Sequence, residues 1–178
     1  MPPTSDVVIN EVIAVHSLPS HYKDWQEAGI NLQTSDIFLA RQPRLAGIKH
    51  CNRLEQVLVK SATLTQGYDD WLVLDSQRNM IESSMANLFF DIEGQIIIPL
   101  QSYAGVAGMM REQIIYQLLE MDYSVGVDEL SVENLHKVRH VFMTNSLLGI
   151  VDVDRVDHHC FTKAPYTRLI RQRLKLTL

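Results

Sequence analysis

Leu45-Ala46-Gly47-Ile48-Lys49-His50-Cys51-Asn52-Arg53-Leu54-Glu55-Gln56-Val57 sets a lone lysine where a loop turns into a helix. The spacing predicts a helix from Lys49 to about Ser61, with Cys51, Leu54, Val57 and Leu58 on an inward face. Lys49, Asn52, Arg53 and Gln56 then form a polar stripe headed by the lysine. A lysine amine is a nucleophile toward carbonyls once burial or a neighbouring cation destabilises its ammonium, and His50, Arg44 and Arg53 lie nearby in sequence. A solvated lysine at a helix start fits the same periodicity.

Outward from this segment, the flanking chain alternates strands and helices. Val7 to Val15 and Ile30 to Ala40 read as strands, and His21 to Ala28 as a short helical turn closed by Gly29. Two antiparallel hairpins follow, one around Ser76 to Asn79 and one around Ile92 to Gly94. A helix after Gly108 carries Met110, Ile114, Leu118 and Met121 at helical spacing. Beyond it come a strand near Val125, a helix around Ser131 to Val138 and the strand Val141 to Thr144. Ile150 to Val153, a turn at Asp154-Arg155 and Val156 to Phe161 lead to a last helix from about Pro165, with Tyr166, Leu169, Ile170 and Leu174 inward. No repeat or low-complexity linker interrupts residues 1–178, which form one α+β (mixed α/β) domain.

Three further groups carry chemistry. Glu82 sits among Ser83, Ser84, Met85 and Ala86, neighbours that suit a carboxylate drawn inside the protein, where it needs a partner. Gly105-Val106-Ala107-Gly108 before a helix forms either an anion cradle or an ordinary glycine loop. Thr144-Asn145-Ser146 closes a strand where ligands tend to bind, and serves equally as a polar loop start. His158-His159-Cys160 suggests a metal, but adjacent strand residues face opposite ways and no second ligand group follows at zinc spacing. Arg168, Arg171, Arg173 and Lys175 read as a solvated face near a helix C-terminus.

A net charge of -5 argues against nonspecific nucleic-acid binding and favours a small-molecule or protein partner. Two cysteines make no disulfide framework, no apolar run reaches membrane-span length, and the first residues lack a signal peptide's pattern, so cytoplasm is expected.

In order along the chain, Leu45 to Leu58, Leu74-Asp75 with Glu82 and Asn87-Leu88-Phe89, and Gly105-Val106-x-Gly108-x-Met110-Arg111 closely resemble the aminodeoxychorismate lyases, fold-type IV pyridoxal-phosphate enzymes. The resemblance spans about Pro19 to Ile150. It implies the large C-terminal domain of that fold, a mixed, antiparallel-rich sheet or barrel with flanking helices. It implies pyridoxal 5'-phosphate held covalently by Lys49, with Glu82 facing the pyridine nitrogen and the amides of Met109 and Met110 cradling the phosphate. Asn145 and Ser146 match the strand end that completes the phosphate site, and Arg41 the position near the cofactor's phenolic oxygen.

The implied reaction converts 4-amino-4-deoxychorismate to 4-aminobenzoate and pyruvate in folate biosynthesis, in a homodimer. A fold-type IV aminotransferase acting on D-amino or branched-chain substrates, and a catalytically silent dimerisation domain, are the rival readings. Two departures from the family stand out. The turn at Arg78-Asn79 lacks a glycine, leaving Asn79 to adopt positive φ. The family's N-terminal small domain is expected to be absent, and with it an arginine for the phosphate and the residues that select substrate.

Overall fold

Strands rich in Val, Ile, Leu and Phe dominate the middle of the chain because both of their faces are buried, one against the other strands and one under helices. The computed structural model describes residues 11–178. The strands are β1 (Ile30–Thr34), β2 (Asp70–Leu74), β3 (Met80–Ser83), β4 (Asn87–Ile92), β5 (Gln95–Pro99), β6 (Ser124–Asp128), β7 (Val138–Asn145), β8 (Gly149–Val156) and β9 (His159–Cys160). The helices are α1 (His21–Ala28), α2 (Leu54–Ser61), α3 (Met109–Glu120) and α4 (Pro165–Arg173), with a 3-10 turn at Val132–Lys137.

The strands hydrogen-bond in the order β3-β2-β1-β8-β7-β4-β5-β6, and β3 also pairs with β4. Six strands therefore close on themselves. The closure is possible because β4 divides one edge: Asn87 at its start faces Glu82 of β3, while Phe90 to Ile92 pair with β5. β1 is parallel to β2 and β8, β5 is parallel to β6, and the remaining pairs are antiparallel, a mixed sheet closed like a barrel.

Alternation along the strands divides the core. Leu88 and Phe90 point inward with Leu72, Leu74, Met80, Met143 and Val151, and Tyr22 and Trp25 of α1 pack against the same cluster. Phe89 points outward and stacks on Phe142 with ring centroids 4.6 Å apart, under Ile114 and Leu118 of α3 and Ile170 of α4. A third cluster sets Val59 of α2 against Trp71, Val73 and Ile81.

Several sequence expectations change. The reading of α2 as a helix from Lys49 is corrected, because it begins at Leu54 and Lys49 lies in the preceding loop. Gly47 (φ 77°) donates to Gly105 O and accepts from Ala107 N, both at 3.0 Å, and these long-range bonds hold the segment out of the helix. The apolar face also turns the other way: Leu54 is 66% and Val57 55% exposed, Leu58 and Cys51 are exposed, and Val59 is buried. Val7 to Asn10 of the expected first strand lie outside the described residues. Glu11 to Val15 form no strand, with Val12 and Val15 about nine-tenths exposed, since the barrel closes without them.

β1 ends at Thr34 instead of reaching Ala40. β8 runs through Asp154 and Arg155 to Val156, and the turn falls at Asp157 (φ 50°). In the Ser76–Asn79 turn the positive φ belongs to Arg78 (66°), not Asn79, whose N–H donates to Asp75 Oδ1. Leu169 is exposed. Arg171 leaves its expected solvated face and donates to Ile150 O and Gln26 O, its pKa lowered by burial.

Candidate active site

The closure of β3 on β4 gathers the site. Glu82 lies on β3 with 5% of its surface exposed, because its strand is covered on both faces. Its Oε2 accepts the Val106 N–H at 2.9 Å, and Arg53 Nη2 stands 3.9 Å from Oε1. Burial pushes the Glu82 carboxyl up to about 7, opposed by the Val106 N–H, Arg53 and Lys49. A carboxylate in this setting has one oxygen fixed and one free to meet a cationic or N–H partner.

Lys49 is exposed on the loop ahead of α2, near enough to act on Glu82 electrostatically. Its loop cannot drift from the Glu82 side, because Gly47 bridges to Val106. The loop from Gly105 to Gly108 must pass close to β3: at Gly105 (φ 83°) a Cβ would lie 2.5 Å from Ile81 Cγ2 and 3.2 Å from Glu82 Oε2. Asn87 binds the same loop, donating Nδ2–H to Val106 O at 2.7 Å and accepting Gly108 N–H on Oδ1 at 3.2 Å. No side chain among the described residues caps the first turn of α3, so the leading N–H groups at Met109 and Met110 remain at the positive end of the helix dipole.

The end of β7 comes to the same region, with Asn87 of β4 opposite Thr144. The Asn145 side chain is spent on its own turn: Oδ1 accepts from Leu147 and Leu148 N–H, and Nδ2 donates to Met85 O. Ser146 is exposed. Arg41 sits with a different set of partners. It pairs with Asp75 at 2.6 Å and Glu129 at 2.7 Å and lies over the Tyr103 ring at 3.8 Å, anchoring the β2–β3 turn.

Lys49, Glu82, the Met109–Met110 amides and the Asn145–Ser146 turn are thus linked through one chain of contacts, and Arg41 adjoins them through the Tyr103 ring. A cleft of about 410 Å³ beside them is lined by Leu45, His50, Arg53, Leu54, Gln56 and Tyr103 among others. Arg53 and Asn87 were not singled out by sequence. Both lie in the motifs quoted above, and the signal for Arg53 was its place on the polar stripe with Lys49. Among the described residues no group of three His, Cys, Asp or Glu side chains is arranged to hold a metal.

Comparison with known proteins agrees with this architecture. Residues 10–156 match the amino-transferase class IV family. An aminodeoxychorismate lyase of Vibrio harveyi is 39% identical over 144 residues, covering 81% of this chain and 53% of that protein. The crystal structure of 4-amino-4-deoxychorismate lyase from Pseudomonas aeruginosa superposes with a TM-score of 0.81 at 32% identity, over 90% of this chain and 58% of that one. The branched-chain amino acid aminotransferase from Escherichia coli gives 0.75 at 25% identity, over 89% and 53%. The chain therefore spans about half the length of these relatives. With its closed mixed sheet and most of its length matched, the chain belongs to the class IV aminotransferase family, the fold-type IV enzymes.

Proposed function

We propose that this chain is the cofactor-holding part of an aminodeoxychorismate lyase, cleaving 4-amino-4-deoxychorismate to 4-aminobenzoate and pyruvate with pyridoxal 5'-phosphate, a step toward folate. The observation that carries the reading is Glu82: a buried carboxylate with one oxygen fixed by the Val106 N–H and the other facing Arg53 at 3.9 Å, with the Lys49 loop pinned to the same Val106 segment and an uncapped helix beyond it. This donor set fits the cofactor group by group. Glu82 suits a protonated ring nitrogen, the Met109 and Met110 amides suit a phosphate, and Lys49 suits an aldehyde. When bound, pyridoxal phosphate supplies an electron sink beside the substrate's amine-bearing carbon.

Lys49 would hold the cofactor's aldehyde and would serve as the base toward the substrate's amine-bearing carbon. Glu82, whose charged form Arg53 and the Val106 N–H favour against burial, would face the ring nitrogen and favour its protonated form. Ser146 and the backbone at Asn145 complete the phosphate end, since the Asn145 side chain is already engaged. Arg41, held by Asp75 and stacked on Tyr103 of the cleft, stands on the side proposed for the cofactor's phenolic oxygen. The protein works as a homodimer in the cytoplasm. Supporting this are the exposed apolar residues Leu54, Val57 and Leu58 of α2 and two unpaired cysteines. Among the described residues no helix is long and apolar enough to cross a membrane.

The lyase is preferred over a branched-chain aminotransferase because the Vibrio harveyi and Pseudomonas aeruginosa lyases, at 39% and 32% identity, are more similar than the Escherichia coli aminotransferase at 25%. Adding pyridoxal phosphate and reducing with borohydride should label Lys49, and the loaded protein should release pyruvate from 4-amino-4-deoxychorismate. Keto-acid exchange without pyruvate would assign an aminotransferase, and no label on Lys49 would leave a silent domain.

A further inference from the structure

Glu82 and Asn87 face each other across the β3–β4 junction, and their side chains grip opposite sides of one residue. Glu82 takes the Val106 N–H, and Asn87 donates to the Val106 carbonyl. Asn87 then takes the Gly108 N–H, on the residue from which α3 departs. A side chain at Gly108 would run into Asn87 Oδ1, so glycine alone allows this approach. Asn87 cannot swing aside, being 6% exposed and paired through its backbone with Thr144. Its amide is also chemically specific, because one end must donate to a carbonyl while the other accepts an N–H, and an aspartate can do only the second.

We propose that Asn87 is the positioning residue of this site, fixing the separation between the Glu82 carboxylate and the free N–H groups at the start of α3. A ligand with a ring nitrogen at one end and a phosphate at the other must satisfy both at once, and Asn87 holds them in register. The role rests on the pyridoxal-phosphate reading above, since a ligand lacking either group would not sense the register.

Pyridoxal phosphate and unphosphorylated pyridoxal, titrated separately, separate positioning from general support. In the Asn87→Asp variant the Val106 carbonyl faces a carboxylate, and negative charge sits beside the phosphate cradle. The preference for the phosphorylated ligand, read from the visible absorbance of the lysine-bound form, should fall about tenfold or more, with pyridoxal affinity little changed. Gly108→Ala, which leaves Asn87 in place and moves the helix start, should do the same and serves if Asn87→Asp does not fold. An unchanged preference, or an equal loss for both ligands, overturns the role of Asn87. Failure of the unaltered protein to bind either ligand overturns the cofactor reading itself and the role with it.

Discussion

Arg53 Nη2 stands 3.9 Å from Glu82 Oε1, on the side of the carboxylate that the Val106 N–H leaves open. The guanidinium comes from the residue just before α2, and the carboxylate from within β3. Long-range attraction here works against burial, which is the larger effect and lifts the Glu82 carboxyl to about 7.

The folded chain therefore binds the Glu82 proton more tightly than the unfolded chain, whose carboxyl titrates near 4.5. Stability from this group is fully present below pH 4.5 and is lost as pH rises through about 7. A Glu82→Gln variant stays neutral throughout. Its stability relative to the original protein should grow between pH 5 and 8, by an amount on the order of 3 kcal/mol. Urea unfolding of the cofactor-free proteins at the two pH values measures this, and a difference that ignores pH would contradict it.

Replacing Arg53 with leucine removes a cation that lowers the Glu82 pKa, so the same pH-dependent loss of stability should shift upward. The midpoint in a pH series of unfolding free energies reports the shift. A downward movement would show that burial at Glu82 depends on Arg53.

Gly105→Ala meets two obstacles, a φ of 83° and a Cβ 2.5 Å from Ile81 Cγ2, whereas Gly94→Ala meets only a φ of 86° in open space. The first should cost roughly 2 to 4 kcal/mol and the second about 1 kcal/mol. Urea midpoints with unchanged slopes would establish the order, and equal costs would mean that the Gly105 loop yields freely.

Arg171→Leu strands two backbone carbonyls, Ile150 O and Gln26 O, that α4 now satisfies. A loss of about 2 kcal/mol or more is expected. Arg168→Leu, on the exposed side of the same helix, should change stability by less than about 0.5 kcal/mol. Thermal unfolding of the pair checks the contrast.

If α2 presents its apolar face to a second copy, Val57→Glu should convert a dimer to a monomer in sedimentation experiments and leave the circular dichroism unchanged. A dimer that survives the charge places the seam elsewhere.

The hairpins, α1, α3 and α4 were legible in the sequence because their signals are local: period-two alternation, turn residues, a glycine before a helix and a proline at its start. Residue type left Lys49, Glu82 and the Gly105–Gly108 loop with ordinary structural readings, and it is the resemblance of their motifs to the family that makes them candidates. What local pattern could not fix was decided by contacts between distant segments. The helix after Lys49 starts late because Gly47 is bonded to the Gly105 loop, and its apolar side turns outward because Val59 fills the space over Trp71 and Ile81. Arg41 is drawn to Asp75 and Glu129, and Glu82, Asn87 and Val106 meet only because β3 closes on β4. Hydrogen bonds and burial shared across the barrel outweigh the fraction of a kcal/mol by which a residue prefers one local conformation, so the sequence could nominate candidate groups and only the closed sheet could bring them together.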